Sequence, residues 1–407
     1  MFLLAKLLGA VIKRGTLRVT DAGGTTYVFG EGSPKVTVRL HDRGLPLRIV
    51  LNPDLYTPEA FMDGTLTLEN GATIHDFLYL FSLNRGTFHA QKSAQLRRRV
   101  FRALRRWHQA NPVGVAASNA RHHYDLSTAL YRLFLDEGMQ YSCAYFRDPA
   151  RDTLEEAQHN KLIHLTSKLA LQPGMRVCEI GSGWGSFAIH LARAGARVTA
   201  INVSPEQIKI ARDRAAAAGV ADQIEFIEVD YRDLTGQFDR VVSVGMMEHV
   251  GIGHLGEYFL KVRELLTPDG FALIHSIGRM SPPSSTGPFV RKYIFPGGYV
   301  PAMSETLAAV ERCGLWTCDA EVLRLHYAHT LRHWRERFAK NRDQAKAIYD
   351  QRFCRMWEFY LSVAELEFLN GSHMVFQLLL APKRDSVPVM RDYMFDAERA
   401  ALGKSPT

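Results

Sequence analysis

Arg176-Val177-Cys178-Glu179-Ile180-Gly181-Ser182-Gly183-Trp184-Gly185 is the stretch that decides the fold. Arg176–Ile180 reads as an apolar strand, and three glycines at alternate positions follow it into a helix predicted over Ser186–Ala194. Glycines there let the backbone turn sharply and let a ligand approach the main chain closely. By itself such a triplet is also compatible with a purely structural turn or a dinucleotide loop. Working outward, helix Leu154–Leu169 opens on a capping box, Thr153/Glu156. Strand Arg197–Asn202, helix Pro205–Ala218 and strand Ile224–Glu228 follow the loop. Strands Phe238–Val244 and Phe271–Ser276 then flank helix His254–Leu266. This alternation predicts a parallel sheet covered on both faces.

The 407 residues suffice for two domains, and 46% apolar with 23% charged residues is a folded composition. Residues 1–90 read as a small α+β module. Its predicted strands are Gly15–Thr20, Thr25–Phe29, Lys35–Leu40, Leu47–Val50 and Thr65–Leu68, with a helix over Ile74–Leu83. Residues 91–120 read as a connector. Seven cations from Lys92 to Arg106 have no acid among them, and Leu96, Val100, Ala103, Leu104 and Trp107 share one helical face. Such a helix suits an anionic bilayer and suits interdomain packing equally. Residues 1–120 hold 16 Lys+Arg against 8 Asp+Glu, so the whole net charge of +8 lies there. Nucleic acid is disfavoured, because no base-stacking aromatic series accompanies the charge. Cys143, Cys178, Cys313, Cys318 and Cys354 are odd in number and lack C-x-x-C spacing, which points to a reducing compartment. No run of about 18 apolar residues suggests a membrane span, and Met1–Lys13 lacks the features of a secretory signal. The expected location is cytoplasmic, at the inner face of the membrane.

Three features favour S-adenosylmethionine over a dinucleotide at the loop. The spacing is acid-x-G-x-G-x-G, Glu179 at the strand end can face a ligand ammonium, and a long helical lead-in precedes it. After the second strand no acid stands ready for ribose hydroxyls, so Asn202 and Gln207 are the candidates. Tyr231 and Arg232, after the third strand, are candidates for the adenine side. Glu248 and His249 follow Phe238–Val244, at a position where ligands meet such sheets. His275 lies inside an apolar run, ordinarily the place of a satisfied core histidine. The adjacent pair His122 and His123 suits a turn better than a metal site, so no metal is expected.

Further segments make a family resemblance specific. They are Tyr124–Ser127, Tyr141-Ser142-Cys143-Ala144-Tyr145-Phe146, Gly245-Met246-Met247-Glu248-His249-Val250-Gly251, Ile274–Gly278, Ile294–Gly298 and His326–Leu331 with Trp334. With the glycine loop, they closely resemble the cyclopropane-fatty-acyl-phospholipid synthases and the related mycolic-acid cyclopropane synthases. The resemblance implies a Rossmann-like class I S-adenosylmethionine-dependent methyltransferase domain over 121–407. It also implies that residues 1–90 are a smaller lipid-binding-type domain and that the substrate is phospholipid. The implied reaction adds a one-carbon unit to the cis double bond of an unsaturated acyl chain. Bicarbonate is the implied base, held by Cys143, Glu248, His275, Ile277 and Tyr327. The implied cofactor contacts are Tyr141, Ser142, Gly181, Gly183, Asn202, Gln207, Tyr231 and Arg232, beside Glu179. The implied partner is the bilayer, reached through segment 92–107, with a homodimer left open. Two departures stand out. Ser182 replaces a frequent cysteine, and Ala364 stands where many members carry a cysteine in the C-terminal helix. Ala364 keeps a methyl- or methylene-branched product in play. A non-enzymatic lipid-binding protein on the same fold is the alternative from another class.

Overall fold

A computed structural model of the chain describes residues 1–90 and 127–403. The basic segment 92–107, residues 111–119, His122, His123 and Tyr124 lie outside them. Two compact units form. Residues 1–90, Ser284–Pro296 and Leu331–Ser372 make the first, and residues 127–283, Gly297–Thr330 and 373–403 make the second.

In the first unit, β1 (Thr16–Thr20), β2 (Thr26–Phe29), β3 (Lys35–Leu40) and β4 (Leu66–Glu69) form a sheet in the order β2-β1-β3-β4. The predicted strand at Leu47–Val50 is instead part of helix Leu45–Leu51. Pro46 fits its first turn, where no N–H is needed, and Leu45 and Ile49, one turn apart, both bury. Two later segments, Ser284–Pro296 and Leu331–Ser372, join residues 1–90 in the first unit. Helix Gln351–Leu369 packs on helices Pro53–Asp63 and Ile74–Leu83. Arg85 reaches Glu367 (2.8 Å), Lys292 reaches Glu59 (2.7 Å) and Arg352 reaches Asp63 (2.7 Å). Two late segments therefore complete a core that residues 1–90 begin.

The second unit holds β5 (Arg176–Ile180), β6 (Arg197–Asn202), β7 (Ile224–Glu228), β8 (Phe238–Val244), β9 (Leu266–Arg279), β10 (Trp316–Val322) and β11 (His373–Ala381). Their order is β10-β11-β9-β8-β5-β6-β7, with β5 to β9 parallel and β11 antiparallel to both its neighbours. Neighbouring residues of a strand face opposite sides. Val177, Val242 and Leu273 accordingly join a core with helices Leu154–Lys168, Ser186–Arg193 and Pro205–Ala217. Cys178, Val241 and Ile274 join the core on the other face, with helix Leu255–Glu264. The chain runs outward from β5 to β7 and then returns to β8 on the other side of β5. That reversal opens a crevice beyond the carboxyl ends of the strands. Among the described residues, no helix is long and apolar enough to cross a membrane.

Candidate active site

A cavity occupies that crevice. Glu179 and Gly181 bring the end of β5 to it, Asn202 the end of β6, Tyr231 and Arg232 the turn after β7, and Gly245 and Met246 the turn after β8. Tyr141, Ser142, Gly183 and Gln207 complete the wall, so all nine residues singled out for cofactor contact line one cavity.

The local backbone explains the loop. Gly183 has φ 53°, and a Cβ placed on it would meet no atom within 4 Å. The main chain is thus bare toward the cavity at that point. Gly185 has the opposite reason for lacking a side chain: its φ is 83° and a Cβ would lie 2.9 Å from that of Ala211 on the packed helix.

Four residues that line the cavity each carry a buried polar atom with no hydrogen-bond partner among the described residues: Glu179 Oε2, Ser182 Oγ, Trp184 Nε1 and Gln207 Nε2. Buried polar groups are almost always paired, so a polar ligand is what this wall fits. Burial pushes the Glu179 carboxyl up to about 7, against the opposing charge of Lys161. Lys161, on helix Leu154–Lys168, is pulled down to about 8 by burial, and its Nζ donates to Ser142 Oγ at 3.0 Å. Asn202 Nδ2 donates to Gln207 Oε1 at 2.8 Å, while its Oδ1 accepts from the Val203 and Ser204 N–H groups. The Arg232 guanidinium is held by Asp230 through two hydrogen bonds, of 2.8 and 2.6 Å.

The residues expected to hold bicarbonate stand behind this wall, not in it. Ile277 N–H donates to Glu248 Oε1 at 2.5 Å, and Gly245 N–H, on the cavity wall, donates to His275 O at 2.9 Å. Glu248 Oε2 is buried without a partner among the described residues. Burial pushes the Glu248 carboxyl up to about 7. It also holds the His275 imidazole well below its usual range, with the Lys161 charge acting in the same sense. Cys143 and Tyr327 lie on two segments that hydrogen-bond to each other. Ala144 N–H, next to Cys143, donates to Thr330 Oγ1 at 3.0 Å, one turn along the helix that opens at His326-Tyr327. Burial raises the Cys143 thiol far above its ordinary value, so it stays protonated.

Lys161 is the functional candidate that sequence reading missed. A lysine in an amphipathic helix reads as solvated, yet this one is 3% exposed. Its helical face, shared with Ala157, Leu165 and Lys168, was the available signal. Trp184, Asp230 and His249 also line the cavity, and burial draws the His249 ring down to about 4.

The profile of the mycolic acid cyclopropane synthetase family matches residues 114–378. Tuberculostearic acid methyltransferase UfaA1 of Mycobacterium tuberculosis is 42% identical over 277 residues, 65% of this chain and 65% of that protein. The match thus spans just under two thirds of that relative's length. Cyclopropane-fatty-acyl-phospholipid synthase of Escherichia coli is 38% identical over 262 residues, 64% of this chain and 67% of that protein. Among solved structures, mycolic acid cyclopropane synthase CmaA1, complexed with SAH and CTAB, superposes with a TM-score of 0.61 at 28% identity. It covers 65% of this chain and 97% of its own. The fold these proteins share is that of class I S-adenosylmethionine-dependent methyltransferases.

Proposed function

From the premise that this chain belongs to the mycolic acid cyclopropane synthetase family, we propose that it is an S-adenosylmethionine-dependent enzyme acting on the cis double bond of an unsaturated phospholipid acyl chain, which it converts to a cyclopropane. The observation that carries this reading is the crevice wall. Glu179, whose buried Oε2 has no partner among the described residues, lines a cavity edged by bare backbone at Gly183.

When bound, S-adenosylmethionine supplies a methyl group activated by its sulfonium. Glu179 would offer the donor's ammonium an anionic partner, and Gln207 and Asn202 would be the candidates to hold its ribose. Tyr231 would give its adenine an apolar surface, and Gly183 would let the donor approach the main chain closely. The alkene is a weak nucleophile, so the residues beside the cavity must exclude water and align it with the methyl group. Methyl transfer leaves positive charge on the acyl chain, and one proton of the new methyl group must go for the ring to close. Glu248, His275, Tyr327 and the backbone N–H group at Cys143 would hold a bicarbonate ion, which would supply a proton acceptor, with Ile277 acting through Glu248. Glu248 keeps Oε2 for the O–H of that ion while Ile277 orients its other oxygen. Buried Cys143 would act as a small packing residue beside the ion, not as a nucleophile. Membrane contact through segment 92–107 is part of the same proposal.

A second reading is favoured by the 42% identity to a protein named as a tuberculostearic acid methyltransferase and by Ala364. There the cation loses its proton elsewhere and a branched chain results. The test is incubation of the purified chain with methyl-labelled S-adenosylmethionine and phospholipid vesicles. Label should enter unsaturated acyl chains and not saturated ones. Equal label in both, or none, would sink the proposal.

A further inference from the structure

Three side chains, two of them buried and that of Glu321 partly exposed, cross the antiparallel end of the second unit's sheet in one row. Glu321 on β10 is the register partner of Gln377 on β11, and Gln377 is the register partner of His275 on β9. Directly opposed residues of neighbouring strands share a face, so the three side chains are neighbours. Helix Leu154–Lys168 lays Lys168 and, one turn earlier, His164 over the row. Lys168 Nζ donates to Gln377 Oε1 at 2.7 Å and pairs with Glu321. Gln377 Nε2 lies 3.2 Å from His275 Nδ1. His164 spans Glu321 (2.8 Å) and Glu398 (3.3 Å). Gln377, His275 and Lys168 are 1%, 2% and 3% exposed, so water does not compete for these bonds.

The chemistry of the donors fixes the direction of the chain. An ammonium only donates, so Lys168 must face the carbonyl oxygen of Gln377. The amide NH2 is then turned to His275, and because it too only donates, Nδ1 must accept. The single proton of the neutral ring is left on Nε2. Desolvation keeps the ring neutral, with the charges of Lys161, Lys168 and His164 adding to it and Glu321 opposing them.

We propose that Gln377, anchored by Lys168, is a positioning residue that locks His275 in its Nε2–H tautomer, so that this imidazole serves the reaction as a hydrogen-bond donor and not as a base. The tautomer stands on the geometry alone; its use in catalysis rests on the function proposed above.

The experiment is nitrogen-15 NMR of the full chain labelled in its histidine rings, with the His275 signal identified by its loss in His275→Gln. The expected pattern is protonated Nε2 and unprotonated Nδ1. Gln377→Glu replaces the donor by an acceptor, so the proton should move to Nδ1. In vesicle assays kcat should then fall about 100- to 1000-fold, the loss typical of one removed donor, with the affinity for S-adenosylmethionine unchanged. Gln377→Met, which fills the space without adding buried charge, should fold and bind the donor normally and lose the single-tautomer pattern together with kcat. A His275 ring protonated at Nδ1 in the unsubstituted chain would overturn the proposal, as would full kcat in a Gln377→Glu or Gln377→Met variant whose tautomer had changed. Absence of acyl-chain labelling by the unsubstituted chain would overturn the proposed reaction instead, with the NMR pattern still deciding the tautomer.

Discussion

Glu179→Gln is the substitution whose outcome follows most directly from the crevice. The side chain is 3% exposed, one oxygen has no partner among the described residues, and burial has raised the carboxyl to about 7. If a ligand cation completes this site, the cation binds the ionised form. Replacing the acid by its neutral isostere removes a charge-assisted hydrogen bond worth about 1.5–3 kcal/mol, or about 10- to 150-fold in affinity. The same pairing makes binding depend on pH. With a free-state value near 7, affinity should be about 8-fold weaker at pH 6.0 than at pH 7.5, because the proton must leave before the cation enters. Lys161, at about 8, stays mostly protonated across that window. Isothermal titration of S-adenosylmethionine into both proteins at both pH values measures each effect. The substituted protein should bind weakly and with a flat pH response. Unchanged affinity in Glu179→Gln, or a flat response in the unsubstituted chain, would refute the assignment.

Other outcomes follow from the same geometry. Glu248→Gln should lower kcat by about 100-fold or more, while Cys143→Ser, at a thiol that burial keeps protonated, should cost far less; vesicle assays compare the two. Without ligand, Glu179 and Glu248 both have folded values near 7 against an ordinary 4.5. The native state therefore holds more protons between those values, and stability should fall as pH rises from 4.5 to 7. Denaturant titrations should show this slope, and Glu179→Gln/Glu248→Gln should flatten it. Gly185→Ala, with φ 83° and 2.9 Å to Ala211 Cβ, should cost about 1–3 kcal/mol in the same assay. Deleting residues 1–90 would strip Glu367 of Arg85 and Lys292 of Glu59, so the truncated chain should melt at a lower temperature than the whole one.

The parallel half of the sheet was legible because its strands are short apolar runs, each followed by a turn signal and a periodic helix. The capping box at Thr153/Glu156 and the helix Ile74–Leu83 carry their own local chemistry and emerge as read. Leu47–Val50 misled because four apolar residues fit either period; Pro46 and the one-turn spacing of Leu45 and Ile49 were the arbiters. Strands β10 and β11 escaped notice, since β11 follows a long helix and β10 is only partly buried. The pairing of Gln351–Leu369 with the N-terminal helices is a long-range contact that no local pattern encodes. For the site, the glycine loop and strand-end residues were readable because topology puts all strand ends together. Lys161 and Gln377 were not, because their burial depends on what the folded sheet and helix place over them.

Cyclopropanation itself is tested most directly by following trideuteromethyl-labelled S-adenosylmethionine into unsaturated phospholipid vesicles and reading the acyl product by fragmentation mass spectrometry. The predicted product has lost its double bond, gained one bridging carbon across the two former alkene positions, and kept two of the three deuterium atoms. A still-unsaturated chain bearing an intact trideuteromethyl branch or a dideuteromethylene branch, or acyl chains with no deuterium at all, would contradict it.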